Sequence, residues 1–308
     1  MGLKSLISFG FLILPIAVTI SVLLGLQAYR DAHGLSRPFV SNSIKSTTYC
    51  QRAFGITPDT DGQKYTLNPN QWGVTDDYTG GGGLCMNVTT FDNASYPTNT
   101  TAPKWSITWQ FPPGPPTQPV HAFPNIKMDA SDVFPIEISD VATINFQADW
   151  AYGVGDEQPT TTNVADLNAI DLNSNVAIDM FLDSDPDKAT STVDAKYEVM
   201  IWLGYFGPAT QPIGLDVGAV ATQDVNGTTF SLYFGENGLG QSVLTWVANG
   251  SVQNFVADIG PLLQGLTGIG GPTVNDYLGY LAFGSEALSS GSNVTFYNPN
   301  LSMAVVPK

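Results

Sequence analysis

The stretch Lys196-Tyr-Glu-Val-Met-Ile-Trp-Leu203 decides the fold class, because its side chains alternate between two kinds of environment. Successive side chains of a β-strand point to opposite faces, so Glu198, Met200 and Trp202 share one face. The remaining positions of the stretch are aliphatic or aromatic and make an ordinary core face: Tyr197, Val199, Ile201 and Leu203.

The face that carries Glu198 is chemically unusual. An unpaired buried charge is costly, and a solvated face has little reason to carry Met200 and Trp202. A concave cleft lined by aromatic side chains accommodates all three, with sugar rings stacking on the indole and the carboxylate doing the chemistry. The alternative is a surface Glu198 beside an exposed apolar patch.

Two further acidic residues share this character. Asp179 lies in the middle of the strand-like run Asn175–Leu182, where a carboxyl group needs either a second acid in a shared cleft or a hydrogen bond to a loop. Glu286 follows the apolar run Leu281–Phe283 and precedes a turn rich in Ser and Gly. Paired carboxylates are what glycoside hydrolysis requires, one to protonate the leaving oxygen and one to attack or to activate water.

The rest of the body also predicts short strands. Many β-branched or aromatic runs separated by turn dipeptides such as Asn226-Gly227 indicate a β-sandwich or jelly roll. One short helix is expected within Val256–Leu266, with Asp258 as its cap. The predicted strands outside the deciding stretch cover 105–111, 141–150, 175–182, 228–234 and 241–247.

Composition excludes several classes of protein. The 308 residues carry 11 Lys and Arg against 27 Asp and Glu, a net charge of −16, so nucleic acid is a poor partner. The two histidines, His33 and His121, and the two cysteines are too few for a typical His/Cys zinc site.

The first thirty residues are interpreted as a leader. An apolar run over residues 6–26 is long enough to span a bilayer and exceeds the usual apolar region of a cleaved signal peptide. Residues 1–31 are therefore expected to be a signal peptide or an uncleaved signal anchor, a possible membrane tether. Residues 32–48 are predicted to be a polar stalk and 49–308 a single domain, secreted or held outside the cytosol by the anchor.

Sequons and cysteines agree with this compartment. In an oxidising environment Cys50 and Cys85 most simply pair with each other, the alternative being two buried thiols. Seven asparagines stand in N-x-[ST] sequons and predict a glycoprotein: Asn87, Asn93, Asn99, Asn226, Asn249, Asn293 and Asn300.

The motifs resemble glycoside hydrolase family 12, the small endo-β-1,4-glucanases and xyloglucanases, over nearly the whole body. Tyr197-Glu-Val-Met-Ile-Trp-Leu-Gly204 resembles the segment around the family's nucleophile, and Phe283-Gly-Ser-Glu286 resembles the segment bearing its acid/base. Further similar segments are Asn175-Val-Ala-Ile-Asp179, Asn70-Gln-Trp-Gly73, Trp105–Trp109, His121-Ala-Phe-Pro-Asn125, Tyr49-Cys50 and Gly83-Leu-Cys85.

The resemblance implies a concanavalin-like β-jelly-roll sandwich of two antiparallel sheets with a concave substrate cleft. It implies a retaining endo-hydrolase of β-1,4-glucan, whether cellulose, mixed-linkage glucan or xyloglucan, that needs no metal or cofactor and is expected to be a monomer. Glu198 would be the nucleophile, Glu286 the acid/base, and Asp179 would tune the protonation of Glu198. The residues implied to bind the glucan are Trp72, Met200, Trp202 and Asn125.

The chain departs from the family pattern where Ala287-Leu288 follow Glu286 in place of Pro-Phe. This departure leaves open a non-catalytic glucan-binding relative. The possible membrane anchor leaves open a tethered transglycosylase that remodels wall glucan. The presence of Glu198, Asp179 and Glu286 together favours catalysis.

Overall fold

The computed structural model of the chain describes residues 3–32, 44–91 and 95–308, of which the side chains of residues 3–13, 31 and 32 lie outside the description. Two compact units divide before Ile44. The first contains one helix, α1 (Leu3–Ala32), which runs through Pro15. No helix in the described part of the chain is both long enough and apolar enough to cross a bilayer. The predicted stalk residues 33–43 lie outside the described part.

The second unit is a two-sheet sandwich and confirms the predicted class. It begins at Ile44, five residues before the predicted boundary, because residues 44–49 pair as a strand along the edge of one sheet. Its strands are β1 (Ile44–Tyr49), β2 (Tyr65–Asn68), β3 (Gly83–Phe91), β4 (Lys104–Gln110), β5 (Asn125–Met128), β6 (Ile136–Glu137), β7 (Val141–Val154), β8 (Asn173–Asp183), β9 (Tyr197–Phe206), β10 (Ala221–Val225), β11 (Thr228–Glu236), β12 (Ser242–Ala248), β13 (Asn254–Asp258), β14 (Tyr277–Gly284), β15 (Ala287–Ser289) and β16 (Val294–Pro307).

The smaller sheet has six strands in the order β1-β3-β4-β16-β7-β13. The larger sheet has ten, along the path β10-β11-β12-β9-β8-β14-β5-β2, with β15 beside β8 and β6 beside β14. The sheets are not wholly antiparallel as predicted, because β9 and β12 run parallel. Such a pair needs a crossover connection, and here the connection contains β10 and β11, which form a hairpin on the two-residue turn Asn226-Gly227.

Side-chain alternation along β9 matches the prediction. The odd-numbered residues Tyr197–Leu203 belong to the main core between the sheets. Met200 and Trp202 face the opposite way and join a second apolar cluster with Phe123, Val243 and Val247. We call the face of the ten-stranded sheet that carries this second cluster the outer face.

In the described part of this unit three short α-helices interrupt the strands, where one helix was predicted. The predicted helix is α4 (Gly260–Gln264), and Asp258 accepts the N–H of Gly260 at 2.9 Å from the end of β13. The other two are α2 (Val164–Asn168), capped by Asn163, and α3 (Pro186–Ala189), capped by Asp185. Each is only about one turn long and therefore leaves little apolar periodicity in the sequence.

The disulfide between Cys50 and Cys85 confirms the predicted pairing. It continues the β1–β3 register, in which Tyr49 already opposes Met86. The Gln71 side chain donates to the carbonyls of Gln51 and Leu84 beside it, so the bridge and the loop before Trp72 are joined. The sequon at Asn93 lies outside the described residues. The other sequon asparagines are exposed or half-buried, and their glycosylation stays a prediction.

Candidate active site

Glu198 lies near the start of β9 on the outer face, opposite Phe181 of β8. Asn237, in the turn between β11 and β12, donates its side-chain N–H to the Glu198 carboxylate at 3.1 Å. The side-chain oxygen of Asn237 already accepts the backbone N–H groups of Leu239 and Gln241. The orientation of the Asn237 amide is therefore fixed, and only its nitrogen can face Glu198.

Glu286 lies between β14 and β15, and Asn175 of β8 binds it at two points. The backbone N–H of Glu286 donates to the Asn175 side-chain oxygen at 2.9 Å. The Asn175 side-chain nitrogen donates to Oε2 of the Glu286 carboxyl. Because the backbone N–H fixes the amide, Oε2 must be the acceptor and the proton of an acidic Glu286 is carried on Oε1.

A buried hydroxyl network supports this residue from the core side. The Ser174 hydroxyl donates to the Glu286 carbonyl at 2.6 Å, and the Ser285 hydroxyl donates to the Asn175 carbonyl at 2.6 Å. Each serine hydroxyl has one proton and donates it to one of these carbonyls. The Tyr152 hydroxyl lies 3.0 Å from the Ser174 oxygen and 2.8 Å from the Ser285 oxygen, so it must donate to one of the two. Tyr152 in turn accepts the indole N–H of Trp109.

Asp179 lies on β8 opposite Met200 and beside Glu198. Its side chain is only 6% exposed, and its Oδ1 atom is buried without a hydrogen-bond partner. Burial, followed by the charges of Glu198 and Glu286, raises the pKa of Asp179 well above its usual range. Asp179 is therefore held as a neutral carboxylic acid beside the other two acids.

The two glutamates have different environments. Burial raises the pKa of Glu198, while the N–H of Asn237 opposes the shift. Burial and the charge of Glu198 raise the pKa of Glu286 to about 7, against the lowering effect of the Asn175 N–H. The pKa of about 7 keeps Glu286 protonated in mildly acidic solution, while the Asn237 N–H favours the ionised form of Glu198, and acid-assisted nucleophilic substitution needs one acid and one carboxylate.

The predicted aromatic residues divide into exposed and covered positions. Trp72 is 52% exposed in the loop after β2. Trp202 is 3% exposed, and its indole N–H points to the sulfur of Met200 at 3.4 Å. Met200 and Trp202 thus occupy the predicted face but form its packed floor, and Trp72 is open to a ligand.

Asn125 is buried, and one of its amide N–H groups is engaged within the protein. The residue is 3% exposed on β5, opposite Gly284 of β14. Its side-chain nitrogen donates to the Phe123 carbonyl at 2.7 Å. One N–H of the amide thus holds residues 123–125 together, and substrate binding by Asn125 stays a prediction.

Two asparagines of the site were not identified from the sequence. Alternation along β8 places Asn175 on the same face as Asp179, and this was the one feature of the sequence that could have identified Asn175 as a site residue. For Asn237 the sequence showed only a turn dipeptide, Asn237-Gly238. Its contact with Glu198 depends on the long-range pairing of β12 with β9.

Backbone hydrogen bonds hold the segment after Glu286, although its sequence departs from the expected pattern. Ala287 exchanges backbone hydrogen bonds with residues 121 and 122, and its strand pairs with Ser174. Leu288 is buried, and its carbonyl lies 2.8 Å from Nδ1 of His121. Glu286 is therefore anchored on both sides in the chain.

Comparison with known proteins gives consistent matches. The model of glycosyl hydrolase family 12 matches residues 63–306. A probable xyloglucan-specific endo-β-1,4-glucanase A of Neosartorya fischeri is 30% identical over 84% of this chain and 92% of that protein. The protein of the same description from Aspergillus flavus is 29% identical over 87% of this chain and 98% of its own.

Solved structures agree in fold. Endoglucanase 3 of Trichoderma harzianum has a TM-score of 0.66 at 24% identity, covering 85% of this chain and 98% of its own. A family 12 xyloglucanase of Bacillus licheniformis has a TM-score of 0.62 at 17% identity, covering 84% and 100%. At these identities the likeness shows the shared sandwich alone.

Proposed function

The chain belongs to glycosyl hydrolase family 12 and is an endo-β-1,4-glucanase, and from this membership we propose that it cleaves xyloglucan with retention of configuration, Glu198 acting as nucleophile and Glu286 as acid/base. The observation that carries the assignment of roles is the difference between the two carboxyl groups. Both are buried and both accept an Asn N–H, but the charge of Glu198 adds to burial at Glu286 and raises the pKa of Glu286 to about 7, whereas burial is the one raising cause at Glu198.

In the first step the Glu198 carboxylate attacks the anomeric carbon and the glycosidic C–O bond breaks. The proton on Oε1 of Glu286 passes to the departing oxygen, so the leaving sugar departs as a neutral alcohol. In the second step Glu286 takes a proton from water, which displaces Glu198 from the glycosyl ester and restores both carboxyl groups.

Asp179 supports this cycle by remaining neutral. An ionised third carboxyl so close to Glu198 would raise the cost of burying both charges. A protonated Asp179 keeps the negative charge on Glu198, where the reaction needs it.

The proposed preference for xyloglucan is supported by relatives that match most of this chain and are named as xyloglucan-specific. The proposed location is extracellular. It is supported by the apolar leader, the sequons and the Cys50–Cys85 disulfide, since disulfides persist in oxidising compartments.

The test is reducing-sugar release by the full chain on xyloglucan, barley β-glucan and carboxymethyl-cellulose between pH 4 and 6. We expect the highest kcat/KM on xyloglucan, complete loss in Glu198→Ala, and full activity in Glu157→Ala, whose side chain is exposed outside the site. Equal rates on all three glucans would refute the preference. Activity that survives in Glu198→Ala would refute the catalytic assignment.

A further inference from the structure

Tyr205 reaches the outer face because β9 contains one extra residue. Ala177 of β8 opposes Trp202, but the next residue, Val176, opposes Gly204, so Leu203 has no partner of its own. Such a bulge shifts the alternation by one position. Tyr205 therefore leaves the core face that strict alternation assigns to it.

Two observations agree with this placement. Tyr205 is 52% exposed, and its ring centroid lies 6.4 Å from that of Trp202. Gly204 faces the core instead, where a Cβ atom would lie 2.8 Å from the ring of Trp150. The bulge thus adds an open aromatic ring to the outer face next to the covered one.

Tyr205 also lines a cavity of about 410 Å³. Tyr233 and Val247 form other walls, and both pack in the cluster that contains Trp202. Polar groups at Ser231 and Ser251 border the same space. Aromatic faces with a few hydroxyl groups suit a sugar ring, which has apolar C–H faces and a polar rim.

The Tyr205 wall of the cavity is level with the acid/base. Tyr205 pairs directly across the strands with Asn175, the residue that binds Glu286. Glu198 is seven residues earlier on β9, and Tyr233 is level with Met200 through Thr245. A general acid contacts the leaving oxygen, so a sugar that reaches from Tyr233 to Tyr205, on the Asn175 side of Glu198, belongs to the departing half of the substrate.

We propose that Tyr205 and Tyr233 bind a sugar unit on the leaving-group side of the scissile bond. The inference rests on the proposed roles of Glu198 and Glu286. It assigns to Tyr205 a function in choosing the substrate, with no part in the chemical step.

The test compares two substrates of one enzyme. Xyloglucan places sugars on both sides of the scissile bond, whereas a chloronitrophenyl glycoside of the xyloglucan heptasaccharide has no sugar on the leaving side. We expect Tyr205→Ala to lower kcat/KM on the polymer about tenfold, with less than about a twofold change on the aryl glycoside. Tyr205→Phe, which keeps the ring, should retain the polymer rate, and Tyr233→Ala should show the same split as Tyr205→Ala.

Equal losses on the two substrates, or an unchanged polymer rate in Tyr205→Ala, would overturn the proposal. Melting temperatures of the variants separate binding from folding, since the exposed Tyr205 ring carries little packing. A wild-type enzyme inactive on the aryl glycoside would overturn the proposed function itself, and this inference with it.

Discussion

The side chain of Asn175 and the backbone and carboxyl of Glu286 form a closed, two-point contact across β8 and the β14–β15 turn. This contact fixes the acid/base both in position and in the oxygen that carries its proton. The Asn175 N–H also lowers the pKa of Glu286, which burial and Glu198 together raise to about 7.

Asn175→Ala should therefore shift the basic limb of the kcat/KM profile to higher pH. The lost N–H stabilised the ionised form of Glu286, so its pKa rises further without it. Loss of the backbone contact should also lower kcat by up to about a hundredfold. The pH dependence of xyloglucan hydrolysis checks both effects, with the exposed Asn145→Ala as the control. A limb that stays in place or moves to lower pH would contradict the assignment.

Azide should distinguish the two glutamates on an activated aryl glycoside. In Glu286→Ala the glycosyl ester on Glu198 still forms, because the aryl leaving group needs little protonation, and azide should then give a glycosyl azide of retained configuration. In Glu198→Ala the azide attacks directly and should invert the configuration. NMR of the products decides, and the opposite pattern would mean that the two roles are exchanged.

Asp179→Asn should stabilise the fold at neutral pH. A raised native pKa means that the folded state binds the proton more tightly than the unfolded chain. Stability from this group is complete below the unfolded pKa of about 3.9 and is lost as pH rises through the native value, at about 1.4 kcal/mol per unit. Thermal unfolding should thus show little difference from wild type at pH 3.5 and a higher Tm for the variant at pH 7. A gain of equal size at both pH values would show that Asp179 is not held neutral.

Tyr152→Phe should weaken both stability and catalysis. It leaves the buried N–H of Trp109 without its acceptor, a loss of about 1–3 kcal/mol. It also removes the hydroxyl that connects Ser174 and Ser285, so kcat should fall more than KM changes. Denaturant unfolding and steady-state kinetics measure these effects, with the half-buried Tyr297→Phe as a matched control. An unchanged kcat in a destabilised variant would show that the hydroxyl network contributes to stability alone and not to catalysis.

The double variant Cys50→Ser, Cys85→Ser should lose about 4 kcal/mol of unfolding free energy, because the bridge closes a loop of 35 residues in the unfolded chain. Urea unfolding of oxidised wild type and variant gives the difference. A loss of less than about 1 kcal/mol would show that the pairing of β1 with β3, and not the disulfide, stabilises this edge of the smaller sheet.

Local pattern predicted much of this site. Alternation placed Glu198, Met200 and Trp202 on one face and the core residues of β9 on the other, since a strand has only two faces. Alternation alone could not show that Trp202 is covered, because the covering residues Phe123 and Val247 come from distant segments.

The rest depended on pairing between remote strands. The contact of Asn237 with Glu198 requires the parallel alignment of β9 and β12, and the local sequence contains no trace of that alignment. Strict alternation along β9 would place Tyr205 in the core, and the bulge that reverses it is visible only in the pairing of β9 with β8. Asn125, predicted to bind substrate, donates one amide N–H to a carbonyl only two residues away, a contact that the sequence does not reveal.

The bulge at Leu203 also bears on how such an enzyme can diverge. In a long strand, one inserted residue reverses every side chain beyond it and would turn a whole core stripe toward water. Here the pairing with β8 resumes at Gly204, so Tyr205 lies opposite Asn175 and Phe206, the last residue of β9, packs in the core. The bulge thus absorbs one residue of strand length. A lineage could gain or lose that residue while Tyr205 keeps its place opposite Asn175, with the reacting carboxylates undisturbed.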